Sequence, residues 1–147
     1  MKVGAGGIPE TLIEQAQTVM RTFKTDFKPT AKRLLNELTI AIDTTLKQIK
    51  NNEHFEKDTI IFPIMQLKAN SGMFQYELLT DVSDICLQFM EAIDDLNEDS
   101  MQIIKAHENT IDIIIKSDLK GDGGKEGYIL VQELHRACTR YFKKHKR

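Results

Sequence analysis

The side chains in this chain best suited to nucleophilic, acid–base or metal chemistry are four histidines and two cysteines. His54 lies in a polar turn, His145 in a basic end, and His135 beside Leu134 on a helix flank. His107 differs, because it falls within an apolar stripe made by Ile103, Ile104, Ile111 and Ile114. An imidazole there acts as a base or phosphate acceptor only with a suitable partner, and otherwise hydrogen-bonds to its surroundings. No Ser/His/Asp order, His-Glu-x-x-His pair or phosphate-cradling glycine loop accompanies it. Cys86 and Cys138 lack any zinc spacing and sit on apolar stripes, so they are expected to be packed thiols in a reducing compartment. The stretch from Asp118 to Gly123 superficially has the start of a calcium loop, but Lys120 occupies the third ligand position and Ile129 the twelfth. It is expected instead to be a helix stop with left-handed glycines. Neither a metal nor a cofactor is expected.

These residues must be positioned by a chain of 147 residues, a length that suits one domain. Its net charge is −2 and its composition 41% hydrophobic and 29% charged, which describes a globular protein with no bulk attraction for nucleic acid. The first seven residues contain no apolar signal core, and the longest apolar run, Ile60 to Met65, is interrupted by Pro63. No membrane association and a cytoplasmic location are expected.

Breakers divide the chain into six segments with helical apolar spacing. The first carries Leu12, Ala16, Val19, Met20, Phe23 and Phe27, and Pro29 is expected to end it and open the next. Leu34, Leu38, Ile42, Leu46 and Ile49 form the second stripe. A third segment covers about Phe55 to Ser71, with Pro63 either kinking it or starting a helix. The fourth runs from about Phe74 through Leu78, Val82, Ile85, Phe89 and Ile93. Asn97 and its acidic neighbours suit a turn and an N-cap before the fifth, whose β-branched run Ile113-Ile114-Ile115 keeps the helical period. A sixth places Leu130, Leu134, Cys138 and Tyr141 on one face. The expected fold is an all-α, up-and-down helical bundle over residues 9–142, between a flexible segment 1–8 and a solvated basic tail 143–147.

One stretch carries a more specific pattern. From Ile61 to Thr80 it reads Ile-Phe-Pro-Ile-Met-Gln-Leu-Lys-Ala-Asn-Ser-Gly-Met-Phe-Gln-Tyr-Glu-Leu-Leu-Thr. It resembles the signature of histidine-containing phosphotransfer (HPt) domains, approximately His-x-Leu-Lys-Gly-x-x-Gly-x-Phe-Gly. It is similar in particular to a bacterial HPt-like family whose later Lys-Gly-Asp-Gly-Gly stretch is matched by Lys120 to Gly124. Leu67, Lys68, Gly72 and Phe74 agree with the signature. Met65 stands in the place of the phosphorylated histidine, Ala69 and Gln75 replace glycines, and Glu77 replaces a proline. The resemblance implies a four-helix HPt-like core with extra N- and C-terminal helices.

At 100° per residue, Met65, Lys68 and Gly72 fall within about 60° of one another, whereas Ile60, Ile64, Leu67 and Ser71 cluster on a separate face expected to be buried. A thioether has no ionisable proton and cannot carry a phosphoramidate. The resemblance therefore implies a non-catalytic binding module of a bacterial phosphorelay, docking a receiver domain or histidine kinase through Met65, Gln66, Lys68, Ala69, Gly72, Gln75 and Tyr76. Two alternatives stand beside it: phosphotransfer through a displaced histidine, His107, and a structural or oligomeric helical protein without a signalling role.

Overall fold

The computed structural model describes residues 10–145, and of residues 18–26 the backbone alone. Among the described residues there are five helices: α1 (Glu10–Lys50), α2 (Asp58–Met73), α3 (Glu77–Ala92), α4 (Glu98–Lys116) and α5 (Gly124–Lys144). No strand occurs among the described residues. Short connections turn each helix back along its predecessor. The first four form a ring in which α1 neighbours α2 and α4, and α3 neighbours the same two. This is an up-and-down bundle. The fifth helix closes the outer side of α3 and α4.

The core forms where the apolar stripes converge. Leu34, Leu38 and Ile42 of α1 meet Ile60, Ile64 and Leu67 of α2, Leu78, Leu79 and Val82 of α3, and Met101, Ile104 and Ile111 of α4, all fully buried. Complete burial of such side chains contributes roughly 1.5–3 kcal/mol each. The Ile113-Ile114-Ile115 run is helical as expected, with the second and third isoleucines inside and the first exposed.

The prolines do not divide the chain as the sequence suggested. Pro29 lies inside α1, so two expected helices are one of 41 residues. A proline inside a helix costs about 3 kcal/mol through a lost hydrogen bond and ring crowding. Here buried residues on both sides offset it: Phe27 stacks on Phe74 at 5.0 Å and packs at a tilt on Tyr76 at 4.8 Å, while Ala31 and Leu34 are fully packed. Pro63 is likewise internal to α2 and buried, so it neither starts a helix nor divides one in two. The expected segment 1–8 and Pro9 lie outside the described residues, as do the side chains of Val19, Met20 and Phe23.

Local chemistry sets the other boundaries. Asn97 caps α4 by accepting from the Ser100 N–H at 2.8 Å, and Ser100 Oγ accepts from the Asn97 N–H, a reciprocal capping box. Past α4, Gly121, Gly123 and Gly124 all adopt positive φ, as a helix stop requires. Of the expected tail, Lys143 and Lys144 belong to α5. Helix α5 continues to Lys144, whose ammonium lies 3.0 Å from Asp99, and His145 stacks on Tyr141. Lys146 and Arg147 lie outside the described residues.

The loop after α4 is tied to the loop between α2 and α3. Gly121 N–H donates to the Gln75 carbonyl at 2.9 Å, and Leu78 N–H donates to the Gly121 carbonyl at 2.8 Å. Gly127, in the first turn of α5, lies against the Asp122 carbonyl so closely that a Cβ would collide with backbone. Gly127→Ala is therefore expected to destabilise the protein by about 2 kcal/mol or more. Urea unfolding followed by circular dichroism checks this, with an unchanged midpoint as the contrary result.

Candidate functional site

The rotation of α2 is fixed by its inner face. Ile60, Ile64, Leu67 and Ser71 are all fully buried, as their spacing predicts. The opposite side is thereby turned outward. Met65 is 50% exposed and Lys68 half-exposed, and both line a groove of about 470 Å³ between α2 and α3 with Ile61, Ala69, Thr80, Leu87 and Glu91. The groove walls are mainly carbon.

Lys68 does not stand free beside Met65. Its ammonium donates to Asp84 Oδ1 of α3 at 2.7 Å, and Gln88 donates to the other carboxylate oxygen at 2.7 Å. The lysine hydrogen bond, chiefly, holds the Asp84 carboxyl below its usual range. The cation that could offset an incoming anion is thus neutralised by a residue already present. Gly72 needs neither an unusual backbone nor close packing, since an added Cβ would meet Thr80 Oγ1 at an ordinary 3.9 Å. Its smallness serves no contact inside the bundle.

Three expected surface residues are placed elsewhere. Gln66 is exposed but lines a second groove, between α1 and α2, with Ile40 and Phe62. Gln75 sits beyond the end of α2 at φ +65°, in a cleft with Lys120 and Gly121. Tyr76 is not a surface contact. It is 5% exposed, its ring packs on Phe27, and its hydroxyl donates to Asp118 Oδ1 at 2.7 Å. Burial first, then the Asp118 carboxylate, push the Tyr76 phenol up to about 12. Tyr76 is a brace between two loops, which explains why an aromatic with one polar tip stands there.

His107 is fully buried, and its Nδ1 lies 2.8 Å from the Ile103 carbonyl. A carbonyl can only accept, so the proton is on Nδ1 and Nε2 carries the lone pair. That lone pair is enclosed, with no partner among the described residues, and the ring stacks near Phe89. A phosphoryl donor cannot reach it, which removes His107 as a displaced acceptor. Cys86 is buried as expected and Cys138 is half-buried. Desolvation pushes the Cys138 thiol up to about 11 and the Cys86 thiol higher, so neither is a nucleophile at neutral pH. Among the described residues, no group of three metal-ligating side chains occurs and no helix is long and apolar enough to cross a membrane.

No family model, curated protein or solved structure matches the chain.

Sequence spacing alone missed Phe62, Asp84 and Leu87. Phe62 was within reach, because it lies three residues before Met65 on the same helical side. Asp84 carried no signal, since its meeting with Lys68 depends on how α3 packs on α2.

Burial lowers the His107 pKa below its ordinary value, so the imidazole is neutral in the folded protein and protonates more readily once unfolded. The sign follows from linkage: between the folded pKa and about 6.5, the unfolded state binds more protons, so stability falls as pH falls. Denaturant midpoints measured from pH 7 to pH 5 should decline in the wild type and decline less in His107→Leu. Equal slopes for the two proteins would show that His107 contributes nothing to the pH dependence.

Proposed function

We propose that this protein is a non-catalytic, HPt-like docking module that engages a receiver domain or histidine kinase of a phosphorelay without carrying phosphate. The observation that carries the proposal is the outward pairing of Met65 and Lys68 on one side of α2, opening onto the α2–α3 groove. That face has the apolar, adaptable character of a protein contact, to which a flexible thioether is suited. It lacks a phosphate acceptor, because Met65 has no nucleophilic nitrogen and His107 is enclosed. Asp84 adds a negative charge where a phosphoryl group would need a positive one. The two sequence blocks similar to HPt domains also meet in space, through the Gln75–Gly121–Leu78 hydrogen bonds.

Binding tests the proposal. Purified protein titrated with receiver and kinase domains of its source organism should bind one of them, and Lys68→Glu should weaken that binding by about ten-fold or more. Helicity should be unchanged, because the Lys68–Asp84 pair is 43 and 39% exposed and such pairs contribute about 0–1 kcal/mol. Equal binding by mutant and wild type would sink the assignment of this face.

A gain of chemistry gives a second test. Met65→His combined with Asp84→Asn restores an exposed imidazole and releases Lys68 to face an anion. Incubated with a phosphorylated receiver, the double variant should acquire an acid-labile, base-stable label while the wild type acquires none. In that step the aspartyl P–O bond breaks and a P–N bond forms at the imidazole. Label on neither protein would separate the docking face from HPt geometry.

A further inference from the structure

The exposed side of α2 extends beyond Met65. Phe62, Met65 and Met73 are 60, 50 and 70% exposed, and with Ala69 they follow helical spacing along one ridge about 16 Å long. A groove runs on each side. The α3 side holds Ile61, Met65 and Leu87, and the α1 side, about 540 Å³, holds Ile40, Phe62 and Pro63. A contiguous apolar strip of this kind on a charged protein surface marks a contact site.

The charges at its edges decide what covers it. Arg33 is paired with Glu37 and Lys68 with Asp84, so four of the nearby charges cancel. Asp58 lines the α1-side groove and Glu91 the α3-side groove, and neither has an ion-pair partner among the described residues. Lys57, beside Asp58 in the chain, spends its ammonium on the Met90 and Ile93 carbonyls. Because α2 and α3 are antiparallel, the start of one lies beside the end of the other, and the two carboxylates flank the same end of the ridge. Glu91 also stands in the last turn of α3, where a negative charge opposes the helix dipole and no basic residue balances it. The fold gains nothing from the Glu91 placement, whereas Asp58, in the first turn of α2, favours that helix's dipole and still leaves its charge without an ion-pair partner among the described residues.

We propose that the ridge binds an amphipathic helix whose apolar face is bordered on both sides by Lys or Arg. Its apolar side chains enter the two grooves, and its cations reach Asp58 and Glu91. This rests on the docking role of α2 and names the chemistry that the partner presents to it.

Fluorescence anisotropy with three labelled 16-residue peptides provides the test. One peptide has a Leu face bordered by Lys, the second has Glu in place of each Lys, and the third scrambles the first. The Lys-bordered helix should bind about ten-fold more tightly than the other two, with affinity falling as salt rises. Asp58→Asn with Glu91→Gln should weaken it about five-fold, and Phe62→Ser with Met73→Ser should abolish it while circular dichroism is unchanged. Equal binding of the Lys and Glu peptides, equal binding of the scrambled peptide, or indifference to the carboxylate variants would overturn the inference. So would dimerisation in sedimentation equilibrium that is lost in Phe62→Ser, since a second copy would then be the occupant. Lys68-dependent capture of a receiver or kinase together with any of these results would overturn this inference and leave the docking role standing. Absence of that capture would overturn the docking role.

Discussion

Burial of one side of α2 between α1 and α3 governs everything outward of it. Ile60, Ile64 and Leu67 are fully enclosed, and turning the helix by one residue's arc would bring them into water. At roughly 1.5–3 kcal/mol for each large apolar side chain, no surface interaction of Met65 or Lys68 could compensate. The orientation of the exposed face is therefore a consequence of the core. Phe62, Met65, Ala69 and Met73 stand outside because their neighbours in sequence stand inside.

The end of the bundle is held by a different kind of interaction. Gln75 and Asp118 both adopt left-handed backbone conformations, at φ +65° and +52°, which non-glycine residues enter at a cost of about 1–2 kcal/mol. Each is fixed by contacts across the two loops. The Gln75 carbonyl accepts from Gly121, and the Asp118 carboxylate accepts from the buried Tyr76 hydroxyl while Lys28 lies 3.7 Å away. Phe27 closes the arrangement from α1 by stacking on Phe74 and packing at a tilt on Tyr76. This brace explains how α1 continues through Pro29: the helix is anchored just before the proline by aromatic packing and just after it by Ala31 and Leu34.

Three of the potentially reactive side chains are withdrawn from solvent. They are the imidazole of His107 and the thiols of Cys86 and Cys138, whereas the imidazoles of His54, His135 and His145 are exposed. The imidazole and the Cys86 thiol are in the core, and Cys138 is half-covered with its thiol held protonated. The accessible α2–α3 groove presents carbon, a thioether, an ion pair neutralised within the chain and, at one end, the Glu91 carboxylate. Neither an imidazole nor a thiol lines this groove among the described residues.

The sequence by itself determined the helical class, the inner face of α2, the Asn97 cap and the glycine stop, because each depends on periodicity or on local backbone preference. It also determined that Met65 and Lys68 share a side of one helix, since three residues of helix rotate by a fixed angle. Tertiary structure decided the rest. Pro29 could not be judged locally, because the energy that overrides its helix-breaking effect comes from Phe74 and Tyr76, more than forty residues away. Tyr76 seemed a surface residue until Asp118 and Phe27 enclosed it, and Lys68 seemed a free cation until α3 packed against α2 and brought Asp84 within 2.7 Å. Spacing along one helix sets direction, whereas burial and charge pairing depend on which other helix arrives.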